Sequence, residues 1–329
     1  MKKLLPLLAV IALLTLGGCA TPPTDTPTVP TVTPITVAMG FIPNVQFAPF
    51  YMAVEKGYFT DENLEINFDY GWETDLLKLV GTGELRFAVA SGDQVILARS
   101  QGLPVVYVMN WYRKFPVCIV SFKEKGLQRP HDLIGKTVGT PAMYGASYIG
   151  WRALLHIEGI DEDQVNLQNI GYTQVASLTE GQVDAAVCYI MNEPVQLKQS
   201  GQEVNVIAIE DYVNLVSNGL ITNEQTIAEE PALVQSLVRA VLRGLRYTID
   251  HPDEAFEICL KHVPEAGGEN APQQMAVLHE SIKLWRADDL GRSDPAAWEA
   301  SQRFMIELGF ADTETDIEQM LTNQFIVEP

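Results

Sequence analysis

The chain has 329 residues, 47% of them apolar and 19% charged, enough for two globular domains that each bury a core of their own. Its 42 Asp and Glu outnumber 22 Lys and Arg, for a formal charge of −20. That balance excludes nucleic acid as a partner, because neutralising phosphates takes basic surface, and it disfavours anionic solutes such as sulfonates unless a local arginine overrides the global field.

Lys2 and Lys3 open the chain ahead of an apolar run at residues 4–16, too short to span a bilayer comfortably, and Leu16-Gly17-Gly18-Cys19 closes it. The pattern resembles a bacterial lipoprotein signal over residues 1–18. That resemblance implies cleavage ahead of Cys19, lipidation of its thiol and a protein tethered to the membrane outside the cytoplasm. Residues 19–34 are mostly Thr, Pro and Val and cannot bury apolar surface, so they read as an extended stalk. Cys118, Cys188 and Cys259 remain, an odd number in apolar contexts. They read as small buried hydrophobes, with one pair left open, and no metal-ligand spacing is present.

Residues 35–39 form a β-type run, residues 40–44 a Pro-Asn turn, and Phe47, Phe50, Tyr51 and Val54 recur at helical spacing. In open α/β sheets small ligands sit beyond the carboxyl ends of the strands, so the turn from Phe41 to Asn44 is a first candidate for ligand contact. Residues 39–59, Met-Gly-Phe-Ile-Pro-Asn-Val-Gln-Phe-Ala-Pro-Phe-Tyr-Met-Ala-Val-Glu-Lys-Gly-Tyr-Phe, and the following Glu-Asn-Leu-Glu-Ile resemble the start of substrate-binding proteins of the ThiY, SsuA and TauA type, which serve ABC importers. The resemblance extends through Glu193 and more loosely to about residue 260. It points to the ThiY and RibY branch, which carries vitamins or their precursors. It implies an α/β, two-lobed periplasmic-binding-protein-like fold (type II) with the ligand in the interlobe cleft and two hinge crossings.

Residues 64–70 read as a second strand, and the loop after it carries Trp72, which either stacks on a flat ligand or packs at a lobe edge. A third strand at 85–90 leads through Ser91-Gly92-Asp93 into a helix at 94–100, where Ser91 or Asp93 can cap the helix. By resemblance that corner also lines the cleft. Trp111 and Tyr112 end a fourth strand at 105–110 and are candidates for a stacking wall. Residues 116–122 then carry the chain into the second lobe.

The loop at 140–148 precedes a helix at 149–158 and holds Tyr144 and Tyr148 but no Lys or Arg, which suits a flat polyhydroxylated or heteroaromatic ligand better than a bare oxyanion. A strand at 165–172, a helix at 176–181 and the run Gly181-Gln182-Val183-Asp184-Ala185-Ala186-Val187 lead to Cys188-Tyr189-Ile190-Met191-Asn192-Glu193-Pro194. Glu193 either favours a helix N-terminus or accepts a hydrogen bond from a ligand. In pyrimidine-binding relatives the comparable run is Tyr-Ile-Asn-His-Glu. Tyr189 and Glu193 match it, whereas Met191 and Asn192 leave the histidine missing and the floor broader and softer.

After a strand at 204–209, residues 219–222 read as the return crossing. This sets the hinge near 118–122 and 217–222, with lobe 1 at 35–121 plus 220–329 and lobe 2 at 122–219. From Pro231 on, Leu233, Leu237, Val241, Leu245 and Ile249 recur at four-residue steps up to Pro252, and amphipathic helices follow at 273–286 and 295–308, with His279 and Trp285 as packing residues.

These readings predict a monomeric, non-catalytic lipoprotein that closes over a flat vitamin, takes no cofactor and passes its solute to an ABC permease. Riboflavin is the preferred ligand, because Trp72, Trp111, Tyr112, Tyr144, Tyr148 and Tyr189 offer more ring surface than one pyrimidine needs, with Asn44, Asp93, Asn192 and Glu193 for the ring edge and hydroxyls. The alternatives are a thiamine pyrimidine precursor, an alkanesulfonate, or an enzyme resembling thiamine-pyrimidine synthases. Against the last, none of the histidines, His131, His156, His251, His262 and His279, falls in a cleft motif.

Overall fold

The computed structural model describes residues 32–327. The signal at 1–18, Cys19 and the stalk as far as residue 31 lie outside the described residues. β1 (Thr33–Met39), β2 (Leu64–Tyr70), β3 (Phe87–Ser91) and β4 (Val105–Asn110) join a late strand, β10 (Asn218–Asn223), in a first sheet of order β2-β1-β3-β10-β4. β5 (Val117–Phe122), β6 (Thr137–Thr140), β7 (Asn166–Asn169), β8 (Ala185–Tyr189) and β9 (Val204–Ala208) form a second sheet of order β7-β6-β8-β5-β9. Each sheet contains one strand antiparallel to both neighbours, β10 in the first and β5 in the second, and each follows directly on a strand of the other sheet, β5 on β4 and β10 on β9. A chain that leaves one sheet at a carboxyl end and runs antiparallel in the next must enter at that same end. Both sheets therefore point the carboxyl ends of their parallel strands at one cleft, where loops between strand and helix hold ligands.

Two placements differ from the sequence reading. Residues 117–121 are fully buried between β8 and β9, and residues 218–223 between β3 and β4, so both are sheet interior and not hinge. The crossings are residues 111–116, which lie outside helix and strand, and 209–217, which opens with the short helical turn Ile209–Asp211. Burial on both faces and hydrogen bonds on both edges fix those strands too firmly to swing. The stalk also ends earlier: Thr33 and Pro34 pair with Leu64 and Glu65 in β1. β3 pairs β1 only from Val37 on, so the missing N–H of Pro34 faces an edge with no ladder and costs no bond.

The apolar stripe from Pro231 is a single helix, Pro231–Asp250, laid across Ala48–Glu55. Their approach depends on Gly244, where a Cβ would meet the Pro49 carbonyl oxygen at 2.1 Å and Ala53 Cβ at 2.9 Å. The helix Pro295–Glu307 spans the hinge. Its Ser301 Oγ accepts from Val216 N of the second crossing at 2.9 Å, and Phe304 is buried in the core of the second lobe. No helix among the described residues is long and apolar enough to cross a membrane.

Candidate functional site

The closed cleft encloses a cavity of about 120 Å³, with further free space at its open mouth. Each wall is built from loops at the carboxyl ends of strands. After β1 come Gly40 and Phe41, after β2 Trp72 and Glu73, and from the first crossing Trp111 and Tyr112. The second lobe supplies Tyr144 to Ser147 after β6, Tyr172 and Gln174 after β7, and Tyr189, Asn192 and Glu193 at and beyond the end of β8. Gly40 is fixed by close approach, since a Cβ there would sit 2.5 Å from Glu73 Cγ and 2.6 Å from the Val89 carbonyl oxygen.

Aromatic side chains form two layers. The inner layer is buried: Trp111, 3% exposed, lies 5.7 Å from Phe47, 5.3 Å from Phe50 and 5.5 Å from Trp285 between ring centroids. Tyr112 stands edge-on to Trp111 and donates from its hydroxyl to Gln46 Oε1 at 3.4 Å. The outer layer crosses the mouth between lobes. Trp72 stacks on Tyr172 at 5.1 Å and 13°, Phe41 meets Tyr172 edge-on at 5.1 Å, and Tyr144 meets Trp72 at 5.8 Å. Trp72, Tyr144 and Tyr172 are 43%, 51% and 47% exposed, so this layer is a lid whose outer face is wet.

A polar chain runs across the floor. The Tyr189 hydroxyl donates to Asn218 Oδ1 at 3.4 Å, Asn218 Nδ2 to Glu73 Oε1 at 3.1 Å, and Ser91 Oγ to Glu73 Oε2 at 2.6 Å. It links β8 of one lobe to β3 of the other through the start of β10. Burial, reinforced by the Asp93 charge, pushes the Glu73 carboxyl up from 4.5 to about 8. On the opposite wall burial raises Glu193 to about 7, and its Oε1 accepts from Asn192 Nδ2 at 3.2 Å while Oε2 has no partner. No Lys, Arg or His lines the cleft among the described residues, and no group of acidic, His and Cys side chains there has metal-binding geometry.

Of the residues singled out from sequence, Trp72, Trp111, Tyr112, Tyr144, Tyr189, Asn192 and Glu193 line this one cavity. Three do not. Asn44 caps the turn Val45–Phe47, accepting from Gln46 N at 3.0 Å, and so positions a lining residue without lining the site. Asp93 is buried behind Ser91, accepting from Gln94 Nε2 at 2.7 Å, and reaches the cavity only through its charge on Glu73. Tyr148 lies one turn into the helix Gly145–Glu158 and faces away, edge-on to Phe310 at 5.9 Å and beside Arg152. Glu73, Tyr172, Gln174 and Asn218 went unread, although Glu73 and Tyr172 sit at strand ends where the loop rule applied to Trp72 and Tyr144 would have found them.

Residues 44–255 match the family model described as NMT1/THI5 like. The chain belongs to this family. Within it, the riboflavin-binding protein RibY of Chloroflexus aurantiacus is 39% identical over 345 residues, covering 99% of this chain and 98% of that protein. The formylaminopyrimidine-binding protein of Halalkalibacterium halodurans is 31% identical, covering 86% of each. A 4-amino-5-hydroxymethyl-2-methylpyrimidine phosphate synthase of Legionella pneumophila is more distant, 23% identical over 89% of the chain. Among solved structures, the periplasmic aliphatic sulphonate binding protein SsuA of Escherichia coli superposes with a TM-score of 0.71 at 12% identity, covering 87% of this chain and 96% of that one. The periplasmic-binding-protein fold is thus shared with proteins whose ligands differ, and ligand choice rests with the lining of the cleft.

Proposed function

We infer that the chain is the extracytoplasmic, solute-binding component of an ABC importer, held at the membrane by lipid on Cys19, and that it carries riboflavin as a monomer to the permease. The observation that carries this reading is the makeup of the cleft wall: rings from both lobes, amides and carboxyls at the floor, and no cation among the described residues. An isoalloxazine offers a large flat face to Trp111 and Tyr189 and a row of amide-like donors and acceptors to Glu193, Asn192 and Glu73. Raised carboxyls that are partly protonated near neutral pH can donate to ring carbonyls as well as accept from N–H. A sulfonate would bring a negative charge against Glu73 and Glu193 with no cation to meet it, which argues against the anionic alternative. The 39% identity to RibY over nearly the whole chain supports the same ligand.

The reading is of a carrier and not a catalyst. The one thiol in the wall, Cys188, has its pKa pushed up by burial, so it is not poised as a thiolate nucleophile, and none of the five histidines is a lining residue. Closure works by differential contact, since both walls reach the solute only when shut. Titrating riboflavin with the purified full-length chain should quench flavin fluorescence at a one-to-one endpoint, with formylaminopyrimidine a weak competitor. Unchanged fluorescence at micromolar protein defeats the riboflavin assignment, and displacement by the pyrimidine at equal concentration moves the chain to the precursor-binding class.

A further inference from the structure

Cys118 and Cys188 play no part in the binding scheme above. They are register partners on antiparallel β5 and β8, with their Sγ atoms 3.6 Å apart and both residues buried. Cys188 is also part of the cleft wall, and its thiol contacts the Glu193 carboxyl. Cys259, by contrast, sits alone in the first lobe near the Val45 carbonyl.

We propose that Cys118 and Cys188 are a reversible disulfide site directly behind the ligand cleft, oxidised by exchange with a small extracellular disulfide, and that their oxidation state sets how well Glu193 holds the solute. The proposal rests on the extracytoplasmic reading, because disulfides persist in oxidising compartments. Directly opposed residues of antiparallel strands have Cα atoms about 4.5 to 5.5 Å apart, inside the range a disulfide spans. Ile190 N donates to the Pro116 carbonyl at 2.8 Å, which marks residues 116 and 190 as a hydrogen-bonded pair. By alternation Cys118 and Cys188 are the next such pair. Cβ atoms at such a site lie somewhat farther apart than the roughly 3.8 Å a relaxed disulfide prefers, so the bond is strained and readily reduced.

In the exchange, the lobes part, and water reaches the Cys188 thiol and relieves the burial that holds its pKa up in the closed form. The proton passes to solvent, and the thiolate attacks one sulfur of the external disulfide, releasing one thiol and leaving a mixed disulfide. Cys118, likewise deprotonated, then attacks the Cys188 sulfur, closing the Cys118–Cys188 bond and releasing the second thiol. Two protein thiols are oxidised by two electrons while one small disulfide is reduced to two thiols. Forming the bond removes the Cys188 S–H that stands beside the Glu193 carboxyl, whose Oε2 has no hydrogen-bond partner. Access to Cys188 runs through the cleft, so a closed, loaded cleft slows the reaction.

The test treats full-length protein with oxidised glutathione or with dithiothreitol, alkylates it under denaturing conditions and maps the peptides. Oxidised protein should yield a Cys118–Cys188 linked peptide two hydrogens lighter than its parts, restored by dithiothreitol and absent from Cys118→Ser and Cys188→Ser but present in Cys259→Ser. Recovery of both cysteines as alkylated or glutathione-capped residues overturns the site, as does linkage through Cys259. The flavin dissociation constant should rise at least about threefold on oxidation, and equal constants in the two states overturn the coupling to Glu193. Peptide mapping uses no flavin, so its failure is distinct from failure of the riboflavin reading, which appears as no quenching in either state.

Discussion

Affinity should fall as pH rises from about 5 towards 8, because closing the cleft takes up protons. In the closed structure burial holds Glu73 up at about 8 and Glu193 at about 7, above an ordinary 4.5, and water entering when the lobes part lowers both. The sign follows from which form each carboxyl prefers. A pKa raised in the closed state means that closure costs nothing extra below the open-state value, where both forms are protonated. Above it, closure is penalised progressively, and the penalty levels off once pH passes the closed-state value. Each such group contributes up to about 1.4 kcal/mol, or a factor of about 10 in dissociation constant, per pH unit within that window. Between pH 5 and 7 Glu73 alone therefore weakens binding by up to about a hundredfold. The assay is flavin quenching across that range for the parent, Glu73→Gln and Glu193→Gln, with calorimetry in buffers of different ionisation enthalpy to count protons taken up. Each glutamine variant should lose one group's share of the slope and of the proton uptake. A parent affinity flat from pH 5 to 8, or a Glu73→Gln slope equal to the parent's, refutes the assignment of these carboxyls to the closure step.

Trp72→Ala and Tyr172→Ala should each weaken riboflavin binding by about two- to tenfold, the loss of one aromatic pair worth about 0.5 to 1.5 kcal/mol, through faster release in stopped-flow displacement and with an unchanged melting temperature. Trp111→Ala, by contrast, should lower stability by about 3 to 5 kcal/mol in denaturant unfolding, since it empties the centre of a buried ring cluster. Gly244→Ala should cost about 1 to 3 kcal/mol by forcing apart the Ala48–Glu55 and Pro231–Asp250 helices, read in the same experiment, and should leave affinity for riboflavin intact. Replacing Cys19 by Ser should shift the chain from the membrane fraction to the soluble fraction on cell fractionation.

The sequence carried most of the elements and about half of the site, and the division has physical causes. Periodicity found the Pro231–Asp250 helix from its first residue and bounded its end at Pro252, because a four-step apolar stripe between prolines admits one reading. The same logic failed at the hinge, since a chain crossing between lobes and a strand at the centre of a sheet are both short apolar runs. Only the pairing of β5 with β8 and β9 tells them apart. Glu193 was legible from its match to the Tyr-Ile-Asn-His-Glu run of pyrimidine-binding relatives, whereas no motif around Glu73 singled it out. Its importance comes from Asn218 and Asp93, which are 145 and 20 positions away and meet it only in the fold.

The two aromatic layers do different work, and the spacing between rings decides which. A flat guest held between two rings needs them about 7 Å apart, twice the closest carbon contact. Trp72 and Tyr172 at 5.1 Å leave no such slot, so while they touch the guest must lie beneath them, against the inner rings and the polar floor. Recognition then belongs to the buried groups beneath the stack, Trp111 wedged among Phe47, Phe50 and Trp285 in one lobe and Tyr189 of the other, whose hydroxyl reaches Asn218 across the shut cleft. Retention belongs to a stack whose halves ride on different lobes and which exists only when the cleft is shut. An open cleft exposes the faces of Trp72 and Tyr172 to water, and their mutual burial therefore favours closure whether or not a solute is inside. The solute adds its own preference for the closed form through contacts with both floors, and the carboxyls there set the pH at which the two contributions are held in check.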